Sequence, residues 1–145
     1  MRHEISFTDE VWDVVIETSG EANLAGFRAA VEELLDNPEF VPGMNILIDH
    51  SRLDANRLAD AEAAVIADLV IEFDARMGPG LRAIVVPSPH KFRLAQTVQE
   101  RKDEPMLIRS PIFYSREFAE TWLRSAASAD EAETGGRHSD VAGTS

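Results

Sequence analysis

Asp49, His50 and Ser51 stand in direct succession at the end of the apolar run Met44-Asn45-Ile46-Leu47-Ile48, and Arg52 follows them. A carboxylate, an imidazole and a hydroxyl are the groups of hydrolytic catalysis and, the hydroxyl aside, of divalent-metal binding. Ser88 and His90 end a second apolar stretch, Ala83 to Val86. Two such strands side by side would bring these residues to the mouth of one sheet, and ligands of parallel sheets bind beyond the carboxyl ends of the strands. Asp49, His50, Ser51, Arg52, Ser88 and His90 therefore form a candidate polar strand-end site.

Each chemistry open to that site makes a demand on the sequence. A hydrolytic nucleophile needs a Ser on a sharp turn, a His to hold it and oxyanion donors nearby. No Gly-x-Ser-x-Gly elbow is present, and Ser51 and Ser88 read more simply as turn and cap residues. A metal held by Asp49, His50 and His90 suits the ligand preferences of zinc, but adjacent residues of an extended strand point to opposite faces. Asp49 and His50 share an ion only if the chain turns between them. The simpler account makes Asp49 a cap for loop amides and His50 a half-exposed surface imidazole. Phosphate binding at Ser88 to Arg93 gains from Lys91, Arg93 and a helix N-terminus, yet Pro89 removes an amide donor and no Gly-rich loop precedes it. The sequence therefore assigns no catalytic residue, no metal and no cofactor.

An apolar site is the remaining possibility. From Leu58 to Met77 the apolar positions Leu58, Ala61, Val65, Leu69, Phe73 and Met77 keep to steps of three and four, and Ile66 and Val70 add a second row. This is the longest predicted helix, about 30 Å at 1.5 Å per residue. Its face is wider than one packing seam requires. Val65, Ile66, Leu69, Val70 and Phe73 are candidate ligand contacts, with Phe92 or Trp122 to close the site. Asp60, Glu62, Asp68, Glu72 and Asp74 on the same helix oppose flat docking on an anionic bilayer but not an uncharged ligand.

The elements that position these residues follow from periodicity and punctuation. Ile5 to Thr8 and Val11 to Thr18 read as a hairpin turning at Asp9 and Glu10, with Trp12, Val14 and Ile16 on one face. Ser19 and Gly20 are expected to break the second strand. Asn23 caps a helix carrying Leu24, Phe27, Val31, Leu34 and Leu35, which ends at Asp36-Asn37-Pro38 before the turn Pro42-Gly43. Gly78-Pro79-Gly80 ends the long helix. Ser88 and Pro89 open a helix with Phe92, Ala95 and Val98 inward, as far as about Arg101. Met106 to Phe113 reads as a strand interrupted by Pro111, hence an edge strand. Ser115 caps a last helix with Phe118, Trp122 and Leu123. Such alternation builds an α/β domain: a mixed, mostly parallel sheet of about five strands with an N-terminal antiparallel hairpin and about four helices.

Composition narrows the partners. The 145 residues fit one domain, contain no Cys and begin without an apolar leader. This predicts a cytoplasmic protein. The net charge of −12 sits almost wholly in residues 1–80, which hold 17 acids and 5 bases. This balance repels nucleic acid, so no nucleic-acid partner is expected unless the small basic half of residues 81–124 acts alone, and membrane association is at most transient. Residues 125–145, acidic and rich in Ser, Ala and Gly, lack the apolar side chains to offset ordering entropy and are expected to be a disordered tail behind a domain of residues 1–124.

Four stretches, in this order and spacing, resemble the SpoIIAA-like family of the STAS superfamily, small bacterial α/β domains related in shape to anti-anti-sigma factors. They are Asp36-Asn37-Pro38 followed by Pro42-Gly43, the strand Ile46-Leu47-Ile48-Asp49, the turn Val85-Val86-Pro87-Ser88, and Phe113 with Ala119, Trp122 and Leu123. The resemblance covers about residues 4–124. It implies a binding module with no established reaction, some of whose relatives hold apolar ligands or associate with membranes. Better understood STAS proteins switch by phosphorylation of a Ser in an Asp-Ser-Ser-Gly-like turn. Here that place reads Asn56-Arg57-Leu58-Ala59-Asp60 and offers no hydroxyl, and Ser51 lies several residues early. The expected function is a non-enzymatic module for a small apolar or amphipathic, lipid-like ligand. The alternative is a regulator that docks on a partner protein without the usual phosphoserine.

Overall fold

The computed structural model describes residues 1–88 and 93–129. Five strands form one mixed sheet in the order β1-β2-β3-β4-β5: β1 (Arg2–Phe7), β2 (Val14–Glu21), β3 (Ile46–Asp54), β4 (Arg82–Val85) and β5 (Ile112–Phe113). The first pair is antiparallel and the other three are parallel. The expected α/β architecture with its N-terminal hairpin is what the chain adopts. Between the strands run α1 (Leu24–Asp36), α2 (Asp60–Met77), α3 (Arg93–Arg101) and the short α4 (Glu104–Arg109). A fifth helix, α5, covers residues 116–129. None of the described helices is long and apolar enough to cross a membrane.

The register explains why the sheet is apolar at its centre. Ile5, Ile16, Ile48, Ile84 and Ile112 pair in sequence across all five strands and make a single row of β-branched side chains. Helices α1, α2 and α3 cover the face that carries this row, burying Phe27, Val31, Leu34, Ile66, Phe73, Met77, Leu94 and Val98. On the opposite face Val15, Leu47, Ala83 and Val85 meet Ala119 and Leu123 of α5. Asn23 caps α1 by accepting from the Gly26 amide at 2.7 Å, and Ser115 accepts from Phe118 N at 3.4 Å at the start of α5.

Several boundaries differ from the sequence reading, each for a local reason. The β1–β2 connection is the longer stretch 8–13 rather than a tight turn at Asp9-Glu10, closed by Thr8 Oγ1 donating to the Trp12 carbonyl at 2.5 Å. Trp12 therefore leaves the face of Val14 and Ile16 and packs under α5, where Arg124 lies over its ring at 5.0 Å. Ser19 and Gly20 do not end β2. They pair with Arg52 and Leu53 beyond a bulge, Gly20 taking a φ of +84°, and the same pairing carries β3 past Arg52 to Asp54.

Met106 to Phe113 is not one strand. Asp103 accepts from Met106 N at 3.0 Å with Pro105 in the first turn, and this cap forms α4. Only Ile112 and Phe113 remain as the edge strand, with Pro111 just before it. Phe118, expected inward, is 69% exposed. Helix α5 runs on through residue 129 and buries Ala127, so the expected boundary at residue 124 falls inside a helix. The remainder of the expected tail, residues 130–145, lies outside the described residues, as do Pro89 to Phe92.

Candidate functional site

The row of isoleucines is the floor of a partly open cavity of about 80 Å³ between the sheet and the helices above it. Ile16, Ile48, Ile84 and Ile112 contribute from four strands. Two residues further along β2 and β3, Thr18 and His50 face the same space, and Val86 does so beyond β4. Phe27, Ala30 and Val31 of α1, Val70 and Phe73 of α2, and Leu94, Ala95 and Val98 of α3 form the roof, with Met1 at the side. Met1 fits because Gly26 has no side chain: a Cβ there would lie 2.6 Å from the methionine sulfur.

Among the described residues, His50 is the one titratable side chain in this wall. Its Nδ1 lies 2.7 Å from Thr18 Oγ1, and its ring tilts against Phe27 with centroids 5.7 Å apart. Desolvation beneath the helices lowers its pKa from 6.5 to about 4, against a smaller upward pull from the Asp49 carboxylate. The imidazole is thus neutral at pH 7.

Asp49 goes the other way. It is buried on the α5 face, where Oδ1 accepts from the Ser51 amide at 2.9 Å and Oδ2 receives Arg116 Nη1 at 3.3 Å. The same Arg116 nitrogen is 3.0 Å from Glu17 Oε2, and its Nε is 3.9 Å from Glu120. Glu17 and Asp49 are direct cross-strand partners, a like-charge pairing that is unfavourable without a cation between them. Arg116 is that cation. Replacing it with Ala is expected to cost about 1 to 2 kcal/mol, since the guanidinium is only part-buried. About 1 M NaCl should restore part of the loss by screening the two carboxylates. Urea titrations at low and high salt measure both, and a variant as stable as the parent at low salt would show that the pair needs no cation.

The strand-end residues of the sequence reading therefore do not converge. Asp49, Ser51 and Arg52 line a polar groove with Arg2, Glu17 and Ser19, whereas His50 belongs to the apolar cavity. Strand alternation is the cause: His50, half-buried, turns its ring into the apolar cavity rather than the polar groove. Asp49 and His50 cannot hold one ion, and among the described residues no group of three or more His, Asp or Glu side chains is placed to bind a metal. Ser88 follows β4 at a half-buried position, and His90 lies outside the described residues.

The apolar candidates fare unequally. Val70 and Phe73 line the cavity. Ile66 is fully buried in the adjoining core and Leu69 packs against it, while Val65 is 45% exposed. The helix is rotated because Ala67 faces the sheet and Asp74 is drawn inward by Arg82, whose Nε stands 3.1 Å from Asp74 Oδ1. Trp122 cannot close the site: it packs on Phe113 on the opposite face, ring centroids 5.8 Å apart. Phe92 lies outside the described residues. Positions two apart along each strand, Ile16 and Thr18, Ile48 and His50, Ile84 and Val86, mark the wall's strand residues in the sequence but not their alignment across the sheet.

Fold and site together define an α/β domain with helices on both faces of one mixed sheet and an apolar cavity under one layer of them. No family model matches the chain, and no curated protein matches its sequence.

Proposed function

We propose that the chain is a non-enzymatic, cytoplasmic binding module of the bacterial SpoIIAA-like, STAS type, holding a small apolar or amphipathic, lipid-like ligand in the cavity over the isoleucine row. The observation that carries this reading is the hollow itself. Protein interiors are close-packed, and a space of about 80 Å³ between apolar walls leaves its lining short of packing contacts. A ligand that fills it supplies those contacts. The volume takes a small molecule or the end of a larger one, not a whole acyl chain with the helices as they stand.

Native mass spectrometry of freshly purified protein, with displacement of a fluorescent apolar probe, tests this directly. Ala95 lines the cavity, so Ala95→Leu should fill the space and abolish probe binding while the melting temperature stays within about 4 °C of the parent. Absence of both an adduct and probe displacement in the parent chain would remove ligand binding from consideration.

One observation favours docking on a partner protein as the second reading. Leu107, Ile108, Tyr114 and Phe118 are exposed and bracket the edge strand β5 in sequence. Under that reading Ile108→Asp with Phe118→Asp loses a pull-down partner without losing the fold.

A further inference from the structure

We propose that the cavity selects a small uncharged molecule bearing a hydroxyl group, which donates its hydrogen bond to Thr18 Oγ1. This rests on the reading of the cavity as a ligand site and adds the ligand's chemical class.

Size sets the first limit. A cavity of about 150 Å³ takes benzene, with its six carbons. The 80 Å³ here takes about three or four non-hydrogen atoms on the same scale. Charge sets the second. Thr18 and His50 are the polar side chains in the described wall, and no carboxylate, Lys or Arg lines it. A carboxylate or ammonium entering this space would shed its water with no charged side chain among the described residues of the wall to meet it. His50 does not supply one, because its imidazole stays neutral at pH 7.

Hydrogen-bond accounting sets the third. Thr18 is 4% exposed, and its hydroxyl has one proton and two lone pairs. Its neighbours are His50 Nδ1 at 2.7 Å and the Asp49 carbonyl at 3.5 Å. If the proton goes to Asp49 O, Oγ1 accepts from Nδ1–H and keeps one lone pair. If it goes to Nδ1, both lone pairs remain. With its proton committed to Asp49 O or to His50 Nδ1, Oγ1 offers a ligand acceptor capacity in either tautomer. A ligand that pairs with it therefore donates, and a hydroxyl does so with a single polar atom, whereas an amide of the same size brings a carbonyl that this largely apolar wall must also satisfy.

Three probes of similar small size separate the possibilities on the parent chain, so no variant has to fold: 2-propanol, acetate and xenon, each titrated while the methyl signals of Ile16, Ile48 and Ile84 are followed by NMR. The expected result is saturable shifts with 2-propanol and with xenon, and acetate weaker than 2-propanol by about a hundredfold or more. Thr18→Val should weaken 2-propanol about tenfold and leave xenon unchanged, whereas Thr18→Ser should keep 2-propanol bound. Acetate binding as tightly as 2-propanol, or 2-propanol indifferent to Thr18→Val, would overturn the ligand class while the cavity remained a site. No saturable shift with either xenon or 2-propanol would overturn the class and the ligand site together.

Discussion

Replacing Arg82 with Met is expected to destabilise the fold by about 4 kcal/mol, the scale seen when one partner of a buried ion pair is removed. Arg82 is the first residue of β4, 1% exposed, and faces Asp74, itself 5% exposed. Its Nε is at ion-pair distance from Asp74 Oδ1, 3.1 Å, although off hydrogen-bond alignment. The guanidinium also donates to three carbonyls, those of Gly80 at 2.6 Å, Asp74 at 3.2 Å and Gly78. Two of these belong to the last turns and C-cap of α2, where the helix leaves carbonyls without intrahelical donors. One side chain thus closes the helix and neutralises its acid. Burial and nearby cations depress the Arg82 and Lys102 pKa values, Lys102 to about 8, and Asp74 is the anion that opposes the shift in both. Urea titration measures the loss. Arg82→Met with Asp74→Leu should recover a large part of it, because an apolar pair leaves no charge stranded. A single variant within about 1 kcal/mol of the parent would mean that Arg109, 3.6 Å from Asp74 Oδ2, already suffices.

That pair also explains what the sequence left illegible. The order and class of most elements follow from local signals: the Asn23 cap, the stop at Asp36-Asn37-Pro38, and Gly78, whose φ of +83° ends α2. The face of α2 does not. Periodicity counts Asp74 as polar and assigns it to solvent, and only the presence of Arg82 across the core turns that side inward. The strand expected at Met106 failed for a nearer reason. Asp103-Glu104-Pro105 is a helix-start signature, and the apolar residues after it outweighed the cap in the reading. Trp12 shows the same limit from the other direction, since an alternating pattern continued across a loop assigns the wrong face. The cavity was half legible: Val70 and Phe73 came from helical spacing, but the floor is a cross-strand row, and register is a tertiary fact that no single segment contains.

His50 should make the stability of the parent chain fall as the pH drops from 6.5 towards 4. Its folded pKa is lowered to about 4, first by desolvation, with Asp49 pulling the other way. Within that window the unfolded chain binds a proton at this imidazole that the folded chain refuses, so stability rises with pH there. Above 6.5 both states are neutral at this site and the contribution is flat. At about 1.4 kcal/mol per pH unit the whole window is worth about 3 kcal/mol. Carboxylates elsewhere also titrate near its lower end, so the comparison is with His50→Gln, which keeps a hydrogen-bonding group near Thr18 but does not ionise. The difference in unfolding free energy between parent and variant should shrink as pH falls from 7 to 4.5, by about 2 kcal/mol or more, with the parent losing ground. A difference that stays constant would place the imidazole in contact with bulk water. The result bears on ligand choice as well as stability. A wall whose one titratable side chain among the described residues stays neutral at pH 7 offers an anion no charged side chain, so acetate should stay weaker than 2-propanol at pH 7, where acetate is ionised and the imidazole is not.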